Sequence, residues 1–240
     1  MGTLTGYSDQ IGVAPGDTIK FMVNCEGQKS YRARIVRVIC GDLNPAGPGL
    51  KEEVVRTPAS GTYPGRKQAI HAGSYGLVDA SPLLDSLNSF TVQTMIWPTT
   101  PARGAQGIVT HWSGRSKRGF ALSIDAKGCA AITLGNGKTV TTLSSGKPLL
   151  GREWYFVAAS YDAKTKTVRL YQEPMTTYET VDDRGATSAK VKSAPGNATD
   201  KPLVFAAQYA GARKNKDLFD GHYNGKIDSP RLCNRALNRA

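Results

Sequence analysis

The chain has no apolar run approaching the ~18 residues that a membrane-spanning helix requires, so no helical anchor is expected. Its first residues, Met-Gly-Thr-Leu-Thr-Gly-Tyr7, hold neither a basic leader nor an apolar stretch, and nothing in them signals export. Only four cysteines occur, Cys25, Cys40, Cys129 and Cys233, with no Cys-x-x-Cys pair among them. That argues against a zinc ribbon or a disulfide scaffold, and the expectation is a cytoplasmic protein with reduced, buried thiols. Heptads, internal repeats and low-complexity tracts are missing as well, which excludes coiled coils and solenoids. The three histidines, His71, His111 and His222, stand far apart with no His-Glu-x-x-His spacing, and no Gly-x-Ser-x-Gly elbow presents a nucleophilic serine. None of the glutamates belongs to a Glu-x-Asp-x-Glu strand, the pattern that would aim two carboxylates at one glycosidic bond.

What remains is the vocabulary of β-structure. Glycine (26) and proline (13) make about a sixth of the chain and separate many short apolar runs. The most informative stretch is Arg152 to Glu173. Trp154 to Tyr161 is apolar on both faces apart from Ser160, as a strand covered on two sides would be. Asp162 to Lys166 is a polar turn, and Thr167 to Gln172 then alternates, with Val168 and Leu170 against Arg169 and Tyr171. This predicts a hairpin in a two-layer antiparallel sandwich. Gly135-Asn-Gly-Lys-Thr139 looks like the end of a phosphate loop, but Ile132 stands where that loop needs glycine, so a tight hairpin turn is expected instead.

Earlier in the chain, Ala14-Pro-Gly-Asp17 should turn into a strand from Thr18 to Cys25. A second runs from Tyr31 to Cys40, with a change of phase between Ile35 and Val36 that a bulge would explain. Gly41 to Gly49 is too rich in proline and glycine for a regular element, and strands are expected at Lys51 to Arg56 and Tyr63 to His71. The pattern restarts near His71. Strands follow at Gly76 to Asp79, Ser89 to Trp97, Gly107 to Trp112, Gly119 to Asp125, Cys129 to Leu134 and Lys138 to Leu143. The polar segment Thr176 to Lys201 reads as a long surface loop before the last strands within Pro202 to Tyr209 and Phe219 to Leu232. The prediction is an all-β chain. Residues 1–72 form a small immunoglobulin-like sandwich and residues 73–240 a larger concanavalin or laminin-G-like jelly roll.

The net charge of +12 is dispersed: residues 1–72 hold 9 basic and 6 acidic side chains, and residues 73–240 hold 22 and 13. Without a recognition helix or interleaved stacking aromatics, this disfavours nucleic acid and is compatible with an acidic protein partner. Arg32, Arg34 and Arg37 crowd one strand, either as charges guarding a sheet edge or as forks for a partner's carboxylates. Asp217, Asp220, Asn224 and Asp228 could ligate a structural calcium, although turn-capping explains them as well. His111, Trp112 and Arg115 at a loop entrance could stack on a sugar, the basis of an alternative reading as a carbohydrate-binding module, or could pack the sandwich rim.

Several segments taken in order resemble the front part of the large subunits of N,N-dimethylformamidases. They are Pro15 to Phe21, Ile35 to Glu53 with its Gly-Asp-Leu-Asn-Pro-Ala-Gly-Pro-Gly loop, Tyr63 to Arg66, Trp97 to Gly107, Trp154 to Gln172 and His222 to Asp228. The resemblance implies an amidase that releases dimethylamine and formate from dimethylformamide. It further implies small and large subunits, and an iron-dependent catalytic domain lying beyond the positions present here. No catalytic residue carries over. The role it implies for this chain is non-catalytic: contact with a small subunit and with other large subunits, for which Arg32, Arg34 and Arg37 are interface candidates.

Overall fold

The computed structural model describes residues 4–68, 73–192, 194–213 and 216–238; the strand expected from Tyr63 to His71 ends at Pro64, and the last part of that expectation, from residue 69, lies outside the described residues. The chain is all-β and divides into two compact units, Met1–Ile70 and His71–Ala240.

The first unit holds β1 (Leu4–Ser8), β2 (Phe21–Cys25), β3 (Ser30–Ala33), β4 (Ile35–Gly41), β5 (Leu50–Val55) and β6 (Gly61–Pro64). They pair antiparallel as β1 with β2, β3 with β6 and β4 with β5. Ala14 to Asp17 closes through Asp17 N–H to Ala14 O at 3.1 Å, with Gly16 at φ +96 after Pro15, the geometry of a type II turn. The next strand starts at Phe21 rather than Thr18, because the Lys20 N–H is taken by the Asp9 carboxylate at 2.9 Å. The phase change expected at Ile35 is resolved differently. The strand breaks at Arg34, and the ladder irregularity falls between Val38 and Cys40. Asp42 and Asn44 each accept a backbone N–H two residues on, which shapes the loop before Gly49 without a regular element.

The second unit contains β7 (Gly76–Val78), a one-turn helix α1 (Pro82–Asp85), β8 (Phe90–Pro98), β9 (Gln106–Ser113), β10 (Arg118–Ile124), β11 (Cys129–Asn136) and β12 (Val140–Pro148). It continues with β13 (Tyr155–Asp162), β14 (Thr167–Pro174), β15 (Gly185–Lys190), β16 (Leu203–Phe205), β17 (Gln208–Arg213), β18 (Lys216–Asp220) and β19 (Gly225–Cys233). Two sheets form the sandwich, one in the order β12-β11-β10-β9-β16-β7 and one in the order β15-β14-β13-β8-β19, with β17 and β18 as a separate hairpin. Ile108, Leu122 and Ile132 from the first sheet meet Val92, Val157 and Leu170 from the second in one core cluster. Each such side chain, fully buried, contributes roughly 1.5–3 kcal/mol by leaving water.

The informative hairpin is β13–β14, with Tyr155 opposite Pro174 and Asp162 opposite Thr167. Tyr155, Val157, Ala159 and Tyr161 face the core, while Ala158 and Ser160 on the other side are also buried, so this strand is covered twice. β14 alternates as expected, with Val168, Leu170 and Gln172 buried and Arg169 and Tyr171 half-buried. Gly135 to Gly137 turns β11 into β12, and the Asn136 carboxamide accepts the N–H groups of Lys138 and Thr139 at 2.9 and 2.8 Å. A phosphate has no loop to enter there.

The segment expected to be a loop from Thr176 to Lys201 contains β15, paired to β14. It escapes the alternation test because it is an edge strand of small residues, Gly-Ala-Thr-Ser-Ala-Lys190. A buried polar knot leads the chain into it. The Gln172 carboxamide donates to the Lys147 and Asp183 carbonyls at 2.9 and 2.7 Å and accepts from Ala130 N–H and the Ser145 hydroxyl. Beside it the Tyr155 hydroxyl donates to the Asp183 carboxylate at 2.5 Å and accepts from Leu150 N–H at 2.9 Å, so these polar atoms are satisfied where water is excluded.

Candidate functional site

The arginine group sits in the first unit. Arg32 lies on β3 opposite Thr62, Arg34 in the link to β4, and Arg37 on β4 opposite Glu53. The structure brings two of the three together. Arg32 and Arg34 line one cavity of about 440 Å³ with Val54 and Ser60, and Arg37 is not part of its wall. The Arg34 guanidinium is 3.4 Å from the Glu52 carboxylate, with the arginine side chain 63% exposed, so water screens the pair and much of the guanidinium stays open to other acceptors.

Around these charges the surface is apolar. β5 is exposed along its whole length, and Ile35, Val38, Leu50, Val54 and Val55 on the β4–β5 ladder are all exposed. Among the described residues neither strand pairs with anything but the other, which leaves two open backbone edges. Apolar side chains, free edges and arginine forks together form a surface of the kind that protein interfaces cover.

The other predicted group is pulled apart by strand alternation. His111 and Trp112 are neighbours on β9 and so project to opposite faces of its sheet. The His111 ring is 3% exposed and packs 6.0 Å from the core residue Phe120. Neither of its nitrogens completes a hydrogen bond of normal geometry, although the Pro202 carbonyl and the Asp85 charge both favour the protonated ring. Burial outweighs them and holds its pKa below the ordinary histidine value. On the opposite face Trp112 is in register with Gly119 on β10, and Gly119 with Gly135 on β11. A Cβ at Gly135 would lie 2.6 Å from the indole, so the ring rests over that glycine as packing. Arg115 is exposed in the turn beyond and does not join His111.

The acidic residues weighed for calcium do not converge either. Asn224 gives its side-chain N–H to the Thr100 hydroxyl at 3.1 Å, and Asp228 accepts from the Ser229 hydroxyl. Among the described residues no group of three or more His, Cys, Asp and Glu side chains is placed to hold a metal ion. The described residues therefore do not fit the iron that the family resemblance implies.

A cavity that sequence reasoning missed opens in the second unit. It measures about 570 Å³ and is walled by Arg103, Phe205, Ala206, His222, Tyr223 and Asn224 among others. Arg103 and His222 are 119 residues apart in sequence and share no local pattern, and only the Arg103 guanidinium bond to the His222 carbonyl, at 2.7 Å, joins them.

Comparison with known proteins adds three findings. Residues 72–240 match a laminin G family described as the Concanavalin A-like lectin/glucanases superfamily. Two relatives, both named N,N-dimethylformamidase beta subunit, align with nearly the whole chain. The one from Paracoccus aminophilus is 37% identical over 246 residues, covering 98% of this chain and 32% of the relative. The one from Alcaligenes sp is 34% identical over 247 residues, with the same shares. The chain thus spans about a third of the length of these relatives. Among solved structures, the CBM40 of the Ruminococcus gnavus IT-sialidase bound to alpha2,3 sialyllactose superposes with a TM-score of 0.49 at 17% identity, covering 72% of this chain and 92% of that one.

Proposed function

We propose, for a chain that belongs over residues 72–240 to the concanavalin A-like lectin/glucanases superfamily, a non-catalytic assembly role in the beta subunit of an N,N-dimethylformamidase-like amidase. One observation carries the reading. The likeness to the beta subunits extends over 98% of the chain, and so over the first unit, which the superfamily match does not reach. That unit is the one with an apolar, arginine-bearing ladder left uncovered. Residues 1–72 would act as a docking module and residues 73–240 as the jelly roll that carries it. The partners would be a small subunit and other large subunits, and the iron and the amide-cleaving groups would belong to polypeptide outside these residues. The same reading puts the chain in the cytoplasm, where its four free thiols would stay reduced.

Sedimentation of the purified chain with the small subunit of such an amidase tests it. A heavier species is expected, and the double substitution Val38→Asp and Val54→Asp should abolish it while leaving the second unit folded. The chain alone should release no dimethylamine from N,N-dimethylformamide. Turnover by the isolated chain, or a complex indifferent to both aspartates, would overturn the proposal.

A further inference from the structure

The 570 Å³ cavity of the second unit has the size of a small-ligand site and is built from four separate stretches of chain. Gly73 and Ser74 come from the segment before β7, Arg103 from the 3-10 turn Pro101–Arg103 after β8, Phe205 and Ala206 from the end of β16, and His222 to Asn224 with Ile227 from the link running into β19.

Its walls are fixed from behind. Ala206 N–H bonds the Ile108 carbonyl at 2.9 Å, and the Ala206 carbonyl accepts Tyr223 N–H at 2.8 Å. These bonds hold Ala206 at φ +61, a left-handed conformation that costs a non-glycine residue roughly 1 kcal/mol or more. The Gln106 carboxamide, 1% exposed, accepts Asn224 N–H at 2.9 Å, and the Asn224 carbonyl accepts Thr99 N–H at 2.8 Å. A cavity braced in this way is formed before any ligand arrives, which spares a ligand the entropy of ordering it.

Two polar side chains that can donate hydrogen bonds, Arg103 and His222, stand on its wall. The His222 carbonyl holds one Nη of Arg103 at 2.7 Å, which orients the guanidinium and leaves its other N–H groups available. The His222 ring is pressed against Gly73, where a Cβ would sit 2.7 Å from the imidazole, and its Nε2 is enclosed without a partner. With Nε2 enclosed, a ligand in the cavity would meet the ring through its other nitrogen, Nδ1. His222 thus supplies the carbonyl that fixes Arg103 and, in its ring, a second polar group on the cavity wall. Phe205, Ala206 and Ile227 make the rest of the wall apolar.

We propose that this cavity binds a carboxylate monoanion with an apolar body, its oxygens taken by Arg103 and His222 Nδ1–H and its body by Phe205, Ala206 and Ile227. The Arg103 guanidinium brings one full positive charge to the wall and matches a carboxylate through two parallel N–H bonds, whereas a phosphate dianion carries twice that charge. The carboxylate belongs either to a free acid or to an acidic side chain of a peptide. The inference is independent of the assembly role.

The test is a titration of the 240-residue chain, followed through the His222 ring resonances by NMR, with benzoate, benzamide, inorganic phosphate and a blocked Gly-Glu-Gly peptide. Assignment comes from His222→Gln. At least one carboxylate probe should bind saturably, about tenfold or more tighter than benzamide and tighter than phosphate. Arg103→Gln should weaken it about tenfold, and Arg103→Lys, which keeps the charge and loses the fork, by less. Benzoate tighter than peptide identifies a free acid, and the reverse identifies a protein side chain. No saturable shift with either carboxylate, equal binding of benzamide, preference for phosphate, or an Arg103→Gln variant that is folded and unimpaired would each overturn the proposal.

Discussion

The two units spend their apolar residues in opposite ways. Among the described residues, the second unit buries Phe90, Val92, Ile96, Leu122, Tyr155 and Tyr161 in one continuous cluster, while Cys25 is the one buried hydrophobic residue of the first. Conversely, twelve of the nineteen exposed large hydrophobics among the described residues fall before residue 71. The sequence of the first unit is not poorer in such residues; its strands pair in twos and leave them outside. A sandwich stabilises itself, and a set of isolated ladders needs something else to cover it. On the proposed reading, the difference separates a module that stands alone from one that a partner would cover.

The sharpest way to break this contrast is a matched pair of truncations read by urea unfolding. Leu122→Ala removes a fully buried side chain and should cost about 2–5 kcal/mol. Val38→Ala, at a residue 55% exposed, should change stability by no more than about 0.5 kcal/mol. Equal losses would mean that the first unit has a core after all.

A smaller effect compares polar contacts. Tyr155→Phe leaves the Asp183 carboxylate and Leu150 N–H without their shared hydroxyl, and about 1–3 kcal/mol should be lost. Arg34→Gln breaks only an exposed pair with Glu52 and should cost less than about 1 kcal/mol in the same assay. A larger loss from Arg34→Gln would show that the cavity it lines is structural.

The smallest effect is a pH slope confined to the second unit, since no histidine occurs before residue 71. Burial holds the His111 pKa below its ordinary 6.5. As pH falls through about 6.5 the unfolded chain takes up a proton that the folded ring refuses, so stability declines until the depressed folded pKa is reached. Urea midpoints between pH 7.5 and 5.5 should fall for the second unit and flatten in His111→Gln. An unchanged slope in that variant would assign the effect to other groups.

Much of the larger sheet framework was legible because its strands obey alternation. Phe90, Val92, Thr94 and Ile96 share a face on β8 and are buried together, and the β13–β14 hairpin turns where its polar residues predict. β15 was hidden because edge strands of small residues carry no hydrophobic period. β1 was missed for a related reason, since Leu4 to Ser8 is exposed and has no buried face to announce it. The arginine group was visible as composition, but which two arginines share a cavity depends on β3 and β4 being separate strands. Arg103 and His222 could not be linked at all, because a hydrogen bond from a side chain to a distant carbonyl leaves no trace in spacing.

The two bare edges of the β4–β5 ladder have a consequence in time as well as in space. These strands leave the ribosome before the larger sandwich exists, and at about 5–20 residues per second the 170 residues of the second unit take roughly ten to thirty seconds to follow. Throughout that interval the ladder is a template open to any extended chain nearby, including its own copies on the same message. Early capture by the correct neighbour would therefore protect yield, and expression without that neighbour should favour inclusion bodies.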